Sequence, residues 1–236
     1  MLISILLGEG DLTFKLIYVG MYLIAIILSF SFHEWAHAHA AYRNGDYTAR
    51  NLGRMTLNPL AHIDPLGFLM ILIVGFGWAK PVPVNPNNYR KYRKGEFQVS
   101  MAGIFTNIII SLISAFIYVA VYTAEILTGT EIPEMVYTFL TIMGYLNVAL
   151  AVFNFLPVFP LDGFHLFELL FGRKFPKAVL WMHNHGRIVL YIFFGLSFIM
   201  SRFGVSIVGS VAEFVFDGFI QLFWLVAKII MNLFLI

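Results

Sequence analysis

His33, Glu34 and His37, in the run His33-Glu34-Trp35-Ala36-His37, have the residue types and spacing for chemistry at a metal ion. On a helix the two imidazoles lie about 40° apart and one turn above one another, so both can reach a single cation. Glu34 lies about 100° round, close enough to touch a water on that cation without ligating it. This H-E-x-x-H arrangement suits hydrolysis. Zinc held by two His and a carboxylate keeps an open position for water and lowers its pKa toward about 7. Glu34 is then the base that takes the water's proton and later passes it to the leaving amine. His39 falls about 120° from His33 on the other side and reads as a helix-end residue.

A third ligand has to come from elsewhere. The remaining ionisable residues at a span end in a turn-like context are Asp162 and His165, which follow Asn154-Phe155-Leu156-Pro157-Val158-Phe159-Pro160-Leu161. The two prolines break the helix and Gly163 permits a tight turn, so a side chain there can point back into a bundle. The alternative is that Asp162 only caps the helix beginning near Phe164.

The elements that must position these groups are set by composition. Of 236 residues, 60% are hydrophobic and 12% charged, the net charge is +2, and Phe alone numbers 25. A soluble domain carries roughly twice that charge. The balance excludes a soluble enzyme, a disordered chain and a nucleic-acid binder, and points to an all-α polytopic helical bundle of five to six transmembrane segments. The expected spans lie in 12–42, 97–127, 135–159, 188–203 and 205–236, the last with its membrane part at 218–236. Residues 66–78 are too short to cross and read as re-entrant or interfacial. Lys and Arg concentrate in 43–64, 79–96 and 160–187, whereas 128–134 has none and contains Glu131 and Glu134. The basic loops are therefore expected in the cytoplasm, with the N-terminus outside. Both candidate motifs then arrive at the cytoplasmic side, where an unpaired His/Glu cluster inside an apolar span would cost several kcal/mol. No loop is long enough for an appended domain, so residues 1–236 read as one membrane-embedded domain. No cleavable signal peptide is expected, and the absence of cysteine excludes thiolate ligands and nucleophiles.

HEWAH at the end of one span and N-x-x-P-x-x-P-L-D-G at the end of a later one resemble the site-2 protease family of intramembrane zinc metalloproteases. Residues 53–67 (GRMTLNPLAHIDPLG) and 77–86 (GWAKPVPVNP) resemble the minimal branch without PDZ or CBS domains. The resemblance implies His33, His37 and Asp162 as ligands of one zinc per chain, and Glu34 as catalytic base. It also implies Asn154 as a polar group aimed at substrate or oxyanion. The family's G-P-x-x-N appears as Gly103-Ile104-Phe105-Thr106-Asn107, without the proline, and Asn107 is carried as a second candidate for that role. Where the family has L-D-G-G, this chain has Phe164 after Gly163. A bacterial plasma membrane, with the active site toward the cytoplasm, is likewise implied.

The expected function is hydrolysis of peptide bonds in or near the transmembrane segments of other membrane proteins. A helix hides its amides, so a substrate must unwind before attack, and the segment 66–86, rich in Gly and Pro, offers an edge for an extended chain. A transporter would place its site at the midplane between repeats, and no repeat is present. A structural zinc scaffold would not require Glu34. His62, His183 and His185 read as solvated loop residues, and Glu125 as snorkelling at the external end of its span. Oligomeric state and substrate identity leave no mark in the sequence.

Overall fold

The computed structural model describes residues 10–74, 77–201 and 203–234. Eight α-helices are found among them: α1 Leu12–Asn44, α2 Thr48–Asn51, α3 Pro65–Val74, α4 Tyr92–Thr128, α5 Glu134–Asn154, α6 Asp162–Phe171, α7 Pro176–Ser201 and α8 Ile207–Phe234. No strand is present among the described residues; one isolated antiparallel bridge joins Ile63 to Ala79.

Helix α1 starts and stops where its local chemistry directs. The Asp11 carboxylate accepts from Thr13 N–H at 2.7 Å, and the chain leaves the helix at Gly45, whose φ of 105° suits a residue without Cβ. Among the described residues, four helices are long and apolar enough to cross a membrane: α1, α4, α5 and the 207–229 part of α8. The chain is thus an all-α polytopic membrane protein. Helix α7, expected to supply a fifth span from Ile188, carries Lys177, His183, Asn184, His185 and Arg187 in its first half, which leaves only its second half apolar. Much of 160–187, read as a basic loop, is helical in α6 and α7; Lys177 and Arg187 lie on α7, and Arg173 and Lys174 lie in the turn between the two helices. Helix α3 has 10 residues and so spans about 15 Å, half a hydrocarbon core, consistent with a segment that does not cross. Gly75, part of the expected substrate edge, lies outside the described residues.

Small residues let α1, α4 and α5 approach closely. Ala25 and Ile26 of α1 pack with Ile71 of α3 and with Ile142 and Leu146 of α5. Ala115 of α4 and Val148 of α5 pack with Ala212 and Phe216 of α8. Gly144 lies under the Phe216 ring, where a Cβ would come within 1.9 Å. Outward-facing Ile24, Phe105, Ile109 and Phe116 remain exposed, a surface that lipid solvates and water would not.

Candidate metal centre

Three elements meet at the site. His33, Glu34 and His37 come from α1, Asp162 opens α6, and α4 forms the wall behind the imidazoles. Gly103 of α4 sits so close that a Cβ there would lie 2.4 Å from His33 Cε1 and 2.5 Å from His37 Nε2. Residue 103 can only be glycine at this separation. Asp162 occupies the first turn of α6 behind Leu161, which caps the helix without a side-chain bond, so the carboxylate is not spent on capping. Gly163 brings α6 against the end of α5: a Cβ would lie 2.2 Å from the Phe155 carbonyl oxygen. Its need is close approach, since its φ is not positive.

The protonation of the two imidazoles follows from their partners. His37 Nδ1 stands 2.8 Å from the Val99 carbonyl oxygen, which can only accept, so Nδ1 carries the proton. His33 is fixed through a longer chain. The Met143 carbonyl accepts from Asn147 Nδ2 at 2.8 Å, and that same nitrogen donates to Ser29 Oγ at 2.8 Å. Asn147 Oδ1 then accepts from Asn107 Nδ2 at 2.7 Å, which turns Asn107 Oδ1 to His33 Nδ1 at 2.5 Å. His33 must therefore donate from Nδ1. Both Nε2 atoms are left with lone pairs.

These lone pairs converge. The two Nε2 atoms are 3.0 Å apart, and Asp162 Oδ2 lies 3.4 Å from His33 Nε2 and 3.2 Å from His37 Nε2. Asp162 Oδ2 is shut off from solvent and has no hydrogen-bond partner. Three acceptors facing one another with no proton between them repel unless a cation joins them, and this N/N/O donor set suits zinc. No other such group of three His, Cys, Asp or Glu residues is found among the described residues.

Glu34 is buried beside this cluster, and its Oε2 accepts from Val82 N–H at 2.7 Å. Val82 lies in the extended segment after α3, held at its start by Arg54 Nη2 on the carbonyls of Lys80 (2.8 Å) and Pro81 (3.2 Å). At its far end the buried Asp46 accepts from Asn85 N–H at 2.7 Å and from Asn88 Nδ2 at 2.9 Å. These bonds, with two from Thr48, hold the Asp46 carboxyl below its ordinary pKa.

Asn107, expected at substrate or oxyanion, lies behind His33 with both ends of its amide engaged and no exposed surface. Asn154 ends α5 half-buried, donating to the Leu150 carbonyl at 3.0 Å. His39 stacks on Trp35 with centroids 5.0 Å apart, away from the cluster and well inside α1. His62 is buried, not solvated: its Nε2 pairs with the Thr56 carbonyl at 2.8 Å. Glu125 accepts from the Tyr137 hydroxyl. Sequence reasoning missed Asn147 and the Val99 carbonyl. A second buried amide in the span that ends at Asp162 was a signal for Asn147; a backbone carbonyl has none.

The family model described as Peptidase family M50 matches residues 21–200. The chain is 39% identical over 171 residues to the protein named "Putative zinc metalloprotease YwhC" of Bacillus subtilis (strain 168), covering 72% of this chain and 78% of that one. It is 27% identical over 191 residues to "Putative zinc metalloprotease Rip2" of Mycolicibacterium smegmatis, covering 78% and 71%. The corresponding Rip2 of Mycobacterium tuberculosis (strain H37Rv) is 26% identical over 192 residues, with the same coverage of 78% and 71%. No solved structure matches the chain.

Proposed function

The chain belongs to peptidase family M50 and is a zinc metalloprotease, and from that premise we propose that it cleaves peptide bonds in or next to transmembrane segments of other membrane proteins. The observation that carries this reading is the convergence of His33 Nε2, His37 Nε2 and Asp162 Oδ2 within 3.4 Å inside a bundle of membrane-length helices. These three atoms would hold the zinc. When bound, it acidifies a water ligand and polarises the scissile carbonyl. His33 and His37 present Nε2 because Asn107 and Val99 hold their Nδ1 protons. Asp162 brings negative charge that offsets part of the ion's charge at low dielectric.

Glu34 takes the proton of the attacking water and returns it to the leaving nitrogen. Holding one of its oxygens at Val82 leaves the other to exchange that proton. The same strand-like segment, 77–86, offers main-chain groups to an unwound substrate, so substrate and base are positioned by one element. Asn154, at the end of α5 before the turn to Asp162, is a candidate to meet the substrate. Asn107 acts through His33, as a positioning residue. The protein would be a multi-pass component of the cell membrane, with the site open to the side where the basic segments lie.

Glu34→Gln tests the reading. The expected result is loss of cleavage of a membrane substrate by at least about 10²-fold with zinc content unchanged. Cleavage that survives the change would overturn the base assignment.

A further inference from the structure

Two further histidine–carboxylate pairs stand between the three ligands and the exposed surface of α6 and α7, and proteolysis uses neither. His165, one turn after Asp162 on α6, faces Glu96 of α4, with Nδ1 and Oε1 3.6 Å apart. Glu168, a further turn on, faces His183 of α7, with Oε1 and Nε2 3.3 Å apart. Exposure rises outward through the series. The side chains of His33, His37 and Asp162 are 10%, 11% and 18% exposed, those of Glu96 and His165 11% and 39%, and those of Glu168 and His183 39% and 37%.

The inner pair shares a wall with the metal centre. Glu96, Ser100, Gly103 and Asn107 follow one another at helical spacing on a single face of α4, and all four are buried or nearly so. Gly103 touches both imidazoles and Asn107 bonds His33, so Glu96 is the outermost member of the stripe that backs the site. The spacing of the inner pair also fits an ion better than a proton. A direct N–H···O bond measures about 2.7–3.2 Å, shorter than the separation here. Two ligand atoms each about 2.1 Å from a tetrahedral zinc lie about 3.4 Å apart.

We propose that Glu96 and His165 form a loading station for zinc, fed from the water-exposed Glu168–His183 pair, on the way to His33, His37 and Asp162. A divalent ion cannot cross the bundle unligated, because stripping its hydration at low dielectric costs more than any one contact returns. Passing between nitrogen/oxygen pairs keeps it ligated throughout. Two protein donors leave it largely hydrated, so each station holds it weakly and gives it up to the three-ligand site. The idea rests on the proposed function only in taking that site as the destination.

The test follows zinc uptake by the full chain in detergent or liposomes. The protein is stripped with a chelator, zinc is added back, and bound zinc is measured against time after rapid gel filtration. In the Glu96→Gln/His165→Asn double variant, reloading should slow roughly ten-fold or more while the final content stays at one zinc per chain. Glu168→Gln/His183→Asn, which alters half-exposed side chains and spares the buried wall, should slow reloading in the same direction by less. Reloading at the unaltered rate in both variants overturns the proposal. A lower final zinc content in the first variant overturns it too, by making the pair part of the destination. Normal reloading with slowed cleavage would assign the pair to proton movement and equally refute a loading role. Failure to find any cleaved substrate would count against the protease reading alone, because uptake is measured without one.

Discussion

At the scale of single residues, the proposed metal centre depends on a proton that Asn147 fixes from two side chains away. If Asn147 could not donate to the Met143 carbonyl, Asn107 could turn its amide and His33 could place its proton on Nε2, which removes a ligand. Asn147→Leu should therefore weaken zinc binding by about 10–100-fold, read by competition with a chelator of known affinity. It also leaves the Asn107 amide unsatisfied in the bundle, a cost of about 1–3 kcal/mol that thermal unfolding would report. Unaltered zinc affinity would show that the tautomer is held by other means. The sequence made His33, Glu34 and His37 legible because four-residue spacing on one helix is a local property. Asn147 stayed hidden because its meaning arises only when α4 and α5 pack against α1, and Glu96 because only the packing of α6 on α4 sets it beside His165. For Asn107 the residue was visible and its partner was not, so the expected contact was with substrate.

At the scale of elements, the segment after α3 is shaped by backbone contact. Gly67 on α3 lies against Trp78, where a Cβ would come 2.1 Å from the carbonyl oxygen. Gly67→Ala should push the returning segment off Glu34, lowering turnover strongly while zinc content stays near one per chain; equal loss of both would refute the separation of that segment from the metal. The far end of the segment gives a pH prediction. The Asp46 pKa is depressed in the folded chain, so its stabilisation is present above the unfolded value of about 3.9 and is lost as pH falls below it. Asp46→Asn should thus lower thermal stability at neutral pH and abolish part of the stability lost on acidification; a parallel acid profile would count against this. The spans of α1, α4 and α5 were readable to within a few residues because membrane thickness dictates an apolar length. Helices α6 and α7 were not: α6 has only 10 residues and no Lys or Arg, and the basic residues of α7 count equally as loop charge and as the polar face of a helix. His62 carried the same ambiguity: only the folded chain closes Lys80 N–H onto its carbonyl at 2.8 Å and buries the ring.

At the scale of the molecule, helix lengths and charge combine into a statement about which compartment supplies the site. Helices α1 and α4 have 33 and 37 residues, about 50 and 56 Å, so both overrun a hydrocarbon core of about 30 Å. His33 lies 21 residues from Leu12 and 11 from Asn44, about 32 Å and 16 Å, which sets the metal centre toward the end that carries Arg43. The loop after α4 is acidic, and Tyr118, Tyr122 and Tyr137 cluster beside it as expected of a headgroup belt, with ring centroids 5.3 Å apart for Tyr118–Tyr137 and 6.0 Å for Tyr122–Tyr137. If the basic segments face the cytoplasm, water, zinc and the released product all pass on that side, and the exposed Glu168–His183 pair is where cytoplasmic zinc first meets the protein. The chain has no cysteine, so single substitutions report sidedness against a clean background. Glu131→Cys should react with a membrane-impermeant maleimide on intact cells, whereas Lys94→Cys and Arg173→Cys, both at exposed positions, should react only after the membrane is opened. The reverse pattern would turn the molecule over and move its zinc supply to the outside. Labelling of all three in intact cells would mean that the bundle does not hold one orientation, and the charge asymmetry would then lose its meaning.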